Sequence, residues 1–473
     1  MEKEIELKLR VAPDDISVLR NHPQFVDAFH SPARATLKSV YFDSDDRSLR
    51  KHGLTLRVRQ IGTKRVQTIK SVNQGSDWFE RLEWEQTIQG DQPDFTSLTD
   101  AALGPILTDN IRNALKPVFE THIERTTYNR NGNGTNIVMA VDEGQIVANN
   151  LSCPVSEIEL ELKQGTVANL FEIARAIDDI VPVQLDVKSK SERGYDLIDK
   201  RLVAVEKAYN PIISESMSAG RVFTMIGRAC LRHLVANTAA TIDRDVEALH
   251  QMRVALRRLR ASISLFSVFL DDDKIVTIRA ELKWLANEFG PARNLDTHIF
   301  EVLKPLRKQH PKEPGLVSIG KMFGRQRFKC YEAVRQVVQS ARFRRLVLET
   351  AEWVEAGPWT RSEDPVKQAR RQAPIEFYAA EQLLHRFAKI KRRGGKIANL
   401  NSEKLHKFRI QVKKARYAAE FFSSIYSDKK SVKRRKKIIS SLMQLQNSLG
   451  SINDIAMHIR RYSRISLIIR GVG

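Results

Sequence analysis

The sequence predicts an α+β chain: an antiparallel sheet closed into a barrel with a charged lumen, then an all-α region of two pseudo-symmetric helical bundles. Three observations predict it. Charged doublets recur at a two-residue period through about the first 190 residues. The hydrophobic period and the net charge both change near residue 205, and a twelve-residue basic segment occurs twice in the second half.

The doublets begin at Glu4-Ile5-Glu6-Leu7-Lys8. In a strand successive side chains point to opposite faces, so Glu4, Glu6 and Lys8 share one face and Ile5, Leu7 and Leu9 the other. Arg57-Val58-Arg59, Arg81-Leu82-Glu83-Trp84-Glu85 and Glu157-Ile158-Glu159-Leu160-Glu161 repeat the pattern, and Lys188 and Lys190 form one more basic pair. A half-buried sheet with ordinary surface salt bridges accounts for any one doublet. Like charges side by side in several rows point instead to faces that look at one another and at a shared ligand. Carboxylate rows suit Mg²⁺ or Mn²⁺, and arginine forks suit phosphate oxygens. The ligand this predicts is a metal-chelated polyphosphate. Trp84 alternates with Glu83 and Glu85 and is expected to pack outside the barrel under a helix. A helix is expected near 166–178. His22, His30, His52 and His122 lack a motif context, so no histidine base is assigned.

At 473 residues the chain is too long for one ordinary core, and two or three domains are expected. There is no apolar run of about 18 residues and no apolar segment of a signal peptide at the charged N-terminus, so a cytoplasmic protein is expected. Cys153, Cys230 and Cys330 are odd in number and far apart, which gives neither a disulfide framework nor a zinc site. The formal net charge of +22 is unevenly spread: residues 1–205 hold 26 bases against 31 acids, and 206–473 hold 52 against 25. The boundary is drawn there, with domains at 1–205 and 217–473 and a linker at 206–216 around Asn210-Pro211.

In the basic part, Leu249-His250-Gln251-Met252-Arg253 through Arg260 is echoed at an offset of 156 by Leu405-His406-Lys407-Phe408-Arg409 through Arg416. Gly290-Pro291-Ala292-Arg293-Asn294 and Gly450-Ser451-Ile452-Asn453-Asp454 follow the two copies, so the repeats extend over about 249–296 and 405–456. On a helix Leu249, Met252, Leu256, Leu259, Ile263, Phe266 and Leu270 form a core seam, as do Leu405, Phe408, Val412, Ala415, Ala419 and Phe422. Beside the seams run His250, Arg253, Arg257 and Arg260, and His406, Arg409, Lys413 and Arg416. Stacked cations at each turn repel unless a polyanion lies along them; a solvated basic face is the plainer account. The absence of interleaved aromatics favours inorganic polyphosphate over nucleic acid, which is expected to bind only non-specifically. The Lys433-Arg434-Arg435-Lys436-Lys437 run reads as an exposed basic face.

The N-terminal motifs resemble the CYTH domain, or triphosphate tunnel metalloenzymes. They are Glu4-x-Glu6-x-Lys8, Tyr41-Phe42-Asp43, Leu56-Arg57-Val58-Arg59, Gln67-Thr68-Ile69-Lys70, Glu83-x-Glu85, Asp142-Glu143-Gly144, Glu157-x-Glu159-x-Glu161 and Ser189-Lys190-x-x-Arg193-Gly194, in the family's order over about 1–200. The resemblance implies an eight-stranded tunnel that hydrolyses inorganic triphosphate to pyrophosphate and phosphate. It implies that Lys8, Arg57, Arg59, Lys70, Arg125 and Lys190 hold the substrate, with Arg193 supporting and Lys188 assisting. Glu4, Glu6, Glu159 and Glu161 would bind one or two divalent ions, with Glu83, Glu85, Asp142 and Glu157 as further candidates. The repeat over about 215–460 resembles the CHAD domain, associated with polyphosphate binding. Asn294 stands where that family usually has an acid, and the chain stops at Arg470-Gly471-Val472-Gly473, so the last bundle is expected to be incomplete. The alternatives are a thiamine triphosphatase or nucleotidyl cyclase of the same fold, or a non-catalytic protein of polyphosphate granules.

Overall fold

The computed structural model describes the backbone of residues 2–71, 78–96, 103–132, 134–397 and 400–470. Side chains at 2, 3, 26–28, 30, 31, 81 and 450–470 lie outside the description, so the readings placed on His30, Arg81, Asn453-Asp454 and 471–473 do too.

Nine antiparallel strands form one sheet: β1 (Glu2–Val11), β2 (His30–Asp43), β3 (Leu54–Ile61), β4 (Lys64–Ser71), β5 (Glu80–Ile88), β6 (Lys116–Gly132), β7 (Thr135–Ala148), β8 (Leu151–Gln164) and β9 (Val183–Leu185). Their order is β5-β4-β3-β2-β6-β7-β8-β1-β9, with a further β1–β5 pairing. The expectation of eight strands closed into a barrel is therefore corrected. The ladder to β5 covers only Glu2–Ile5, whereas β8 takes Glu6–Arg10 and β9 takes Leu9–Val11, so no full-length ladder closes the sheet.

Register explains how the charged face arises. Directly opposed residues of antiparallel strands share a face. Lys8 opposes Glu159, Asp142 opposes both Arg125 and Glu157, and Lys70 opposes Glu83. The other face carries a core of Phe42, Leu49, Leu54, Leu56, Val58, Ile69, Ile88, Leu103 and Leu107, against which Trp84 packs. The expected helix is present at Val167–Ile180, started by a Thr166–Asn169 capping box, and it buries Leu170, Phe171, Ile173, Ala174 and Ile177.

The Lys188/Lys190 pair is not a strand doublet. Residues 186–189 are irregular, and Ser189 caps the helix Lys190–Ile198 in a box with Glu192. This helix packs Tyr195 and Leu197 onto Leu37, Tyr41, Phe119, Ile123, Ile146 and Val155. Gly194 makes that approach possible, since a Cβ there would stand 2.3 Å from Phe119 Cε2.

Two compact units divide the chain. The first contains 1–209, 228–256 and 273–358; the second contains 210–227, 257–272 and 359–473. Within the first, the helix Ala341–Ala356 joins Val167–Ile180 through Arg344–Asp178 at 2.7 Å and Arg175–Glu352 at 2.5 Å. Arg228 is buried there between Glu80, 3.1 Å away, and Glu355, 2.6 Å away. Trp78 Nε1 donates to its carbonyl at 3.3 Å. Within the second, Phe266 stacks on Tyr378 with ring centres 5.2 Å apart and meets Phe223 and Phe422 edge-on. The helix Ser402–Phe421 packs Phe408, Val412 and Ala415 onto Leu442 and Leu449. Both seams fall where periodicity places them: every member of the first is buried, and in the second only Leu405 is partly exposed. Among the described residues no helix is long and apolar enough to cross a membrane.

Candidate functional site

The charged face is an interlocked set of ion pairs. Lys190 Nζ, from the capping helix, sits among three carboxylates of β7 and β8: 2.6 Å from Asp142, 2.9 Å from Glu159, and in contact with Glu157. Lys8 lies 2.7 Å from Glu159 and 3.2 Å from Glu6. Arg125 Nε and Nη2 each donate to Asp142 at 2.7 Å, and Nη2 also reaches Glu159 at 2.5 Å. On the β4–β5 side Lys70 lies 2.7 Å from Glu4 and 3.1 Å from Glu83.

The carboxylates divide by environment. Burial would raise Glu159, but Lys190, Lys8 and Arg125 hold it well below the usual range. Glu4 is likewise brought down to about 2, the pull of Lys70 overcoming burial. Glu6 goes the other way: burial and the neighbouring Glu159 push it up to about 7. An acid crowded against another acid gains from a cation. Asp142, Glu157 and Glu159 each offer an oxygen within 4.8 Å of the others. Hard carboxylate oxygens in that number suit a divalent ion of the Mg²⁺ or Mn²⁺ type.

Three guanidiniums form the complementary part. Arg57 on β3 is 3.9 Å from Glu83, and its Nε has no hydrogen-bond partner among the described residues. Arg59 donates from Nε to Ser39 Oγ at 3.1 Å and has no ion pair among the described residues. Burial, Arg57 and Arg125 together push Arg59 down to about 9. Half-buried arginines repelling one another make a site that gains from a multiply charged anion.

Several expected residues are held by partners of their own or lie near solvent. Lys188 turns away from Lys190 to Asp196 at 2.8 Å and Glu206 at 3.2 Å. Arg193 is committed to Glu157. Glu161 faces Lys163 at 2.5 Å near solvent, and Glu85 is exposed. Of the first basic stripe, Arg253 Nη1 donates to Ala286 O at 2.8 Å, His250 is half-buried, and Arg257 and Arg260 are exposed. In the second stripe His406 is exposed, Arg409 and Lys413 are half-buried, and Arg416 is held by Glu420 at 2.6 Å and lies over the Tyr417 ring. Asn294 is followed by Asp296, which is fully buried and accepts from Arg327 Nε at 2.7 Å and Tyr331 OH at 2.6 Å.

Motif reading missed Arg228, Arg232 and Glu206, whose partners are remote in sequence. It also missed the Ser189–Glu192 cap, although Ser-x-x-Glu is a helix-start signature.

The chain matches the family models of the CYTH domain over residues 2–195 and of the CHAD domain over 225–463. An inorganic triphosphatase from Haemophilus influenzae is 30% identical over 207 residues; the match spans 43% of this chain and 57% of that protein, little more than half its length. The crystal structure of the CHAD domain from the plant Ricinus communis is 24% identical, with a TM-score of 0.47, over 56% of this chain and 84% of that one. A candidate adenylyl cyclase from Hippeastrum with a dominant triphosphatase activity is 18% identical, with a TM-score of 0.32, over 41% of this chain and 95% of its own.

Proposed function

Since this chain belongs to the CHAD family, and a CYTH domain precedes its CHAD domain, we propose that its charged sheet hydrolyses inorganic triphosphate with Mg²⁺ or Mn²⁺, while the helical domain binds inorganic polyphosphate. The working division is 1–205 for the charged sheet and 217–473 for the helices. The observation that carries the reading is the pairing of opposites on one face: Arg57, Arg59 and Arg125 crowd together beside carboxylates that already compete for Lys190 and Lys8.

Lys8, Arg57, Arg59, Lys70, Arg125 and Lys190 bind the phosphate oxygens. A substrate draws Lys8, Lys190 and Arg125 from their carboxylates, leaving Glu4, Glu6, Glu159 and Glu161, with Asp142 and Glu157 near, to hold the divalent ion. The ion would supply charge neutralisation and a bound water of lowered pKa. Fixed cations hold the chain of phosphates in line, so that water oxygen bonds to the terminal phosphorus as its bond to the bridging oxygen breaks. The products are phosphate and pyrophosphate. No protein nucleophile is required, which agrees with a face built of Lys, Arg, Asp and Glu. We place the protein in the cytoplasm, where polyphosphate granules would recruit its basic helices.

The test is phosphate release from tripolyphosphate with each metal, beside a Glu4→Gln/Glu6→Gln variant and with ATP and thiamine triphosphate as competing substrates. Metal-dependent turnover of tripolyphosphate lost in the double variant supports the reading. Preference for an organic triphosphate would move it to thiamine triphosphatase or cyclase chemistry. Polyphosphate binding without any turnover would leave a non-catalytic binding protein.

A further inference from the structure

We propose that Arg232 is a positioning residue for the helix that presents Lys190, reaching it from the helical part of the chain; this rests on the reading of Lys190 as a triphosphate ligand. Arg232 lies on the helix Ala219–Ala236, within the portion that belongs to the same compact unit as the sheet. Its side chain is only 11% exposed. Nη1 donates to Val187 O and Nη2 to Glu192 Oε1, both at 2.5 Å. The other oxygen of Glu192 accepts from Ser189 N at 2.9 Å and Ser189 Oγ at 3.0 Å.

Glu192 is therefore a junction. One oxygen caps the helix that Lys190 opens, and the other is held by a cation about 40 residues further along the chain. Val187, on the other side of the cap, is held by the same guanidinium, so both flanks of Ser189-Lys190 are fixed from one point. A second tie lies beside it: Asn237 accepts from Glu206 N and donates to Glu206 O, both at 3.0 Å, and Glu206 pairs with Lys188. A planar guanidinium with two charge-assisted or carbonyl partners sets direction as well as distance. Lys190 is the side chain whose position matters, because its Nζ meets three carboxylates of the face at once. Displacement by about 1 Å of a group that binds the reacting phosphates is enough to cost turnover.

The test uses the full chain with Arg232→Met, Arg232→Lys, Glu192→Gln and the Arg232→Met/Glu192→Gln double variant. Amide hydrogen exchange over 187–198 and the KM and kcat for tripolyphosphate are read for each. Expected is faster exchange confined to 187–198 in Arg232→Met, and a KM raised about tenfold with a smaller change in kcat. Arg232→Lys should restore part of both, and the double variant should be no worse than Arg232→Met alone. Unchanged exchange and KM in Arg232→Met would overturn the proposal, as would exchange rising equally through the whole sheet. Should that variant not fold, Glu192→Gln keeps the shape of the junction and carries the same expectation. If the unaltered protein turns over no tripolyphosphate, the functional reading fails, and the exchange pattern still decides whether Arg232 positions this helix.

Discussion

Arg125 grips both oxygens of Asp142 at 2.7 Å, whereas among the described residues Arg59, on a strand of the same sheet, is held by the Ser39 hydroxyl and by no carboxylate. The first cation is neutralised in the free protein and the second is held against its like-charged neighbours. Arg59→Met should therefore act with opposite signs. It should weaken tripolyphosphate binding by about tenfold or more, as loss of a charge-assisted contact does. It should raise the unfolding temperature of the ligand-free protein by about 2 °C, because the repulsion goes with it. Titration calorimetry and thermal unfolding of the same sample check the pair of signs.

Lys190 is the counter-case. Removing it in Lys190→Met leaves Asp142, Glu157 and Glu159 with Arg125, Arg193 and Lys8 but without the cation they share. Loss of one partner from a buried ionic cluster costs up to about 3–5 kcal/mol. Adding Asp142→Asn should recover part of that loss, since it removes one of the crowded acids. Urea midpoints of the single and double variants give the answer.

Acid sensitivity has a separate source. Burial alone would raise Asp186, but Arg10 and Arg193 bring it down to about 2 from 3.8. A depressed carboxyl stabilises the fold above its ordinary pKa and loses that contribution as pH falls through the lowered one. About 2 kcal/mol should disappear between pH 4 and pH 2 and be missing from that window in Asp186→Asn. Urea unfolding at closely spaced pH values is the measurement.

For the helical domain, exposure separates residues that sequence spacing treats alike. Arg257 and Arg260 are exposed, while Arg416 is held by Glu420. Arg257→Ala and Arg260→Ala should each lower polyphosphate affinity and reduce the log–log salt slope by about one. Arg416→Ala should do less to the slope, because its charge is already partnered.

How much of this could be read from sequence follows from which interactions are local. The two-residue period placed Glu4, Glu6 and Lys8, and Glu157 and Glu159, on one face, because alternation is a property of a single strand. The helical seams were legible for the same reason. Lys188-Ser189-Lys190 imitates that period over three residues, yet Ser189 and Glu192 close a cap that turns the segment into a helix and sends Lys188 to Asp196. The ninth strand is three residues long, too short to leave a pattern. Arg228 and Arg232 find Glu80 and Glu192 across 148 and 40 residues, a distance at which spacing carries no signal.

Arg228 between Glu80 and Glu355 has a bearing on ancestry. The abrupt change in composition near residue 205 looks like a seam between two genes, at which either half could be shuffled to a new neighbour. A lineage that lost the distal half would inherit a strand that opens on Glu80 without Arg228, an indole at Trp78 without its acceptor, and a helix cap at Glu192 without its arginine. Stand-alone descendants of such a split should therefore carry compensating residues at those three positions, and the halves should be inherited together wherever the original ones persist.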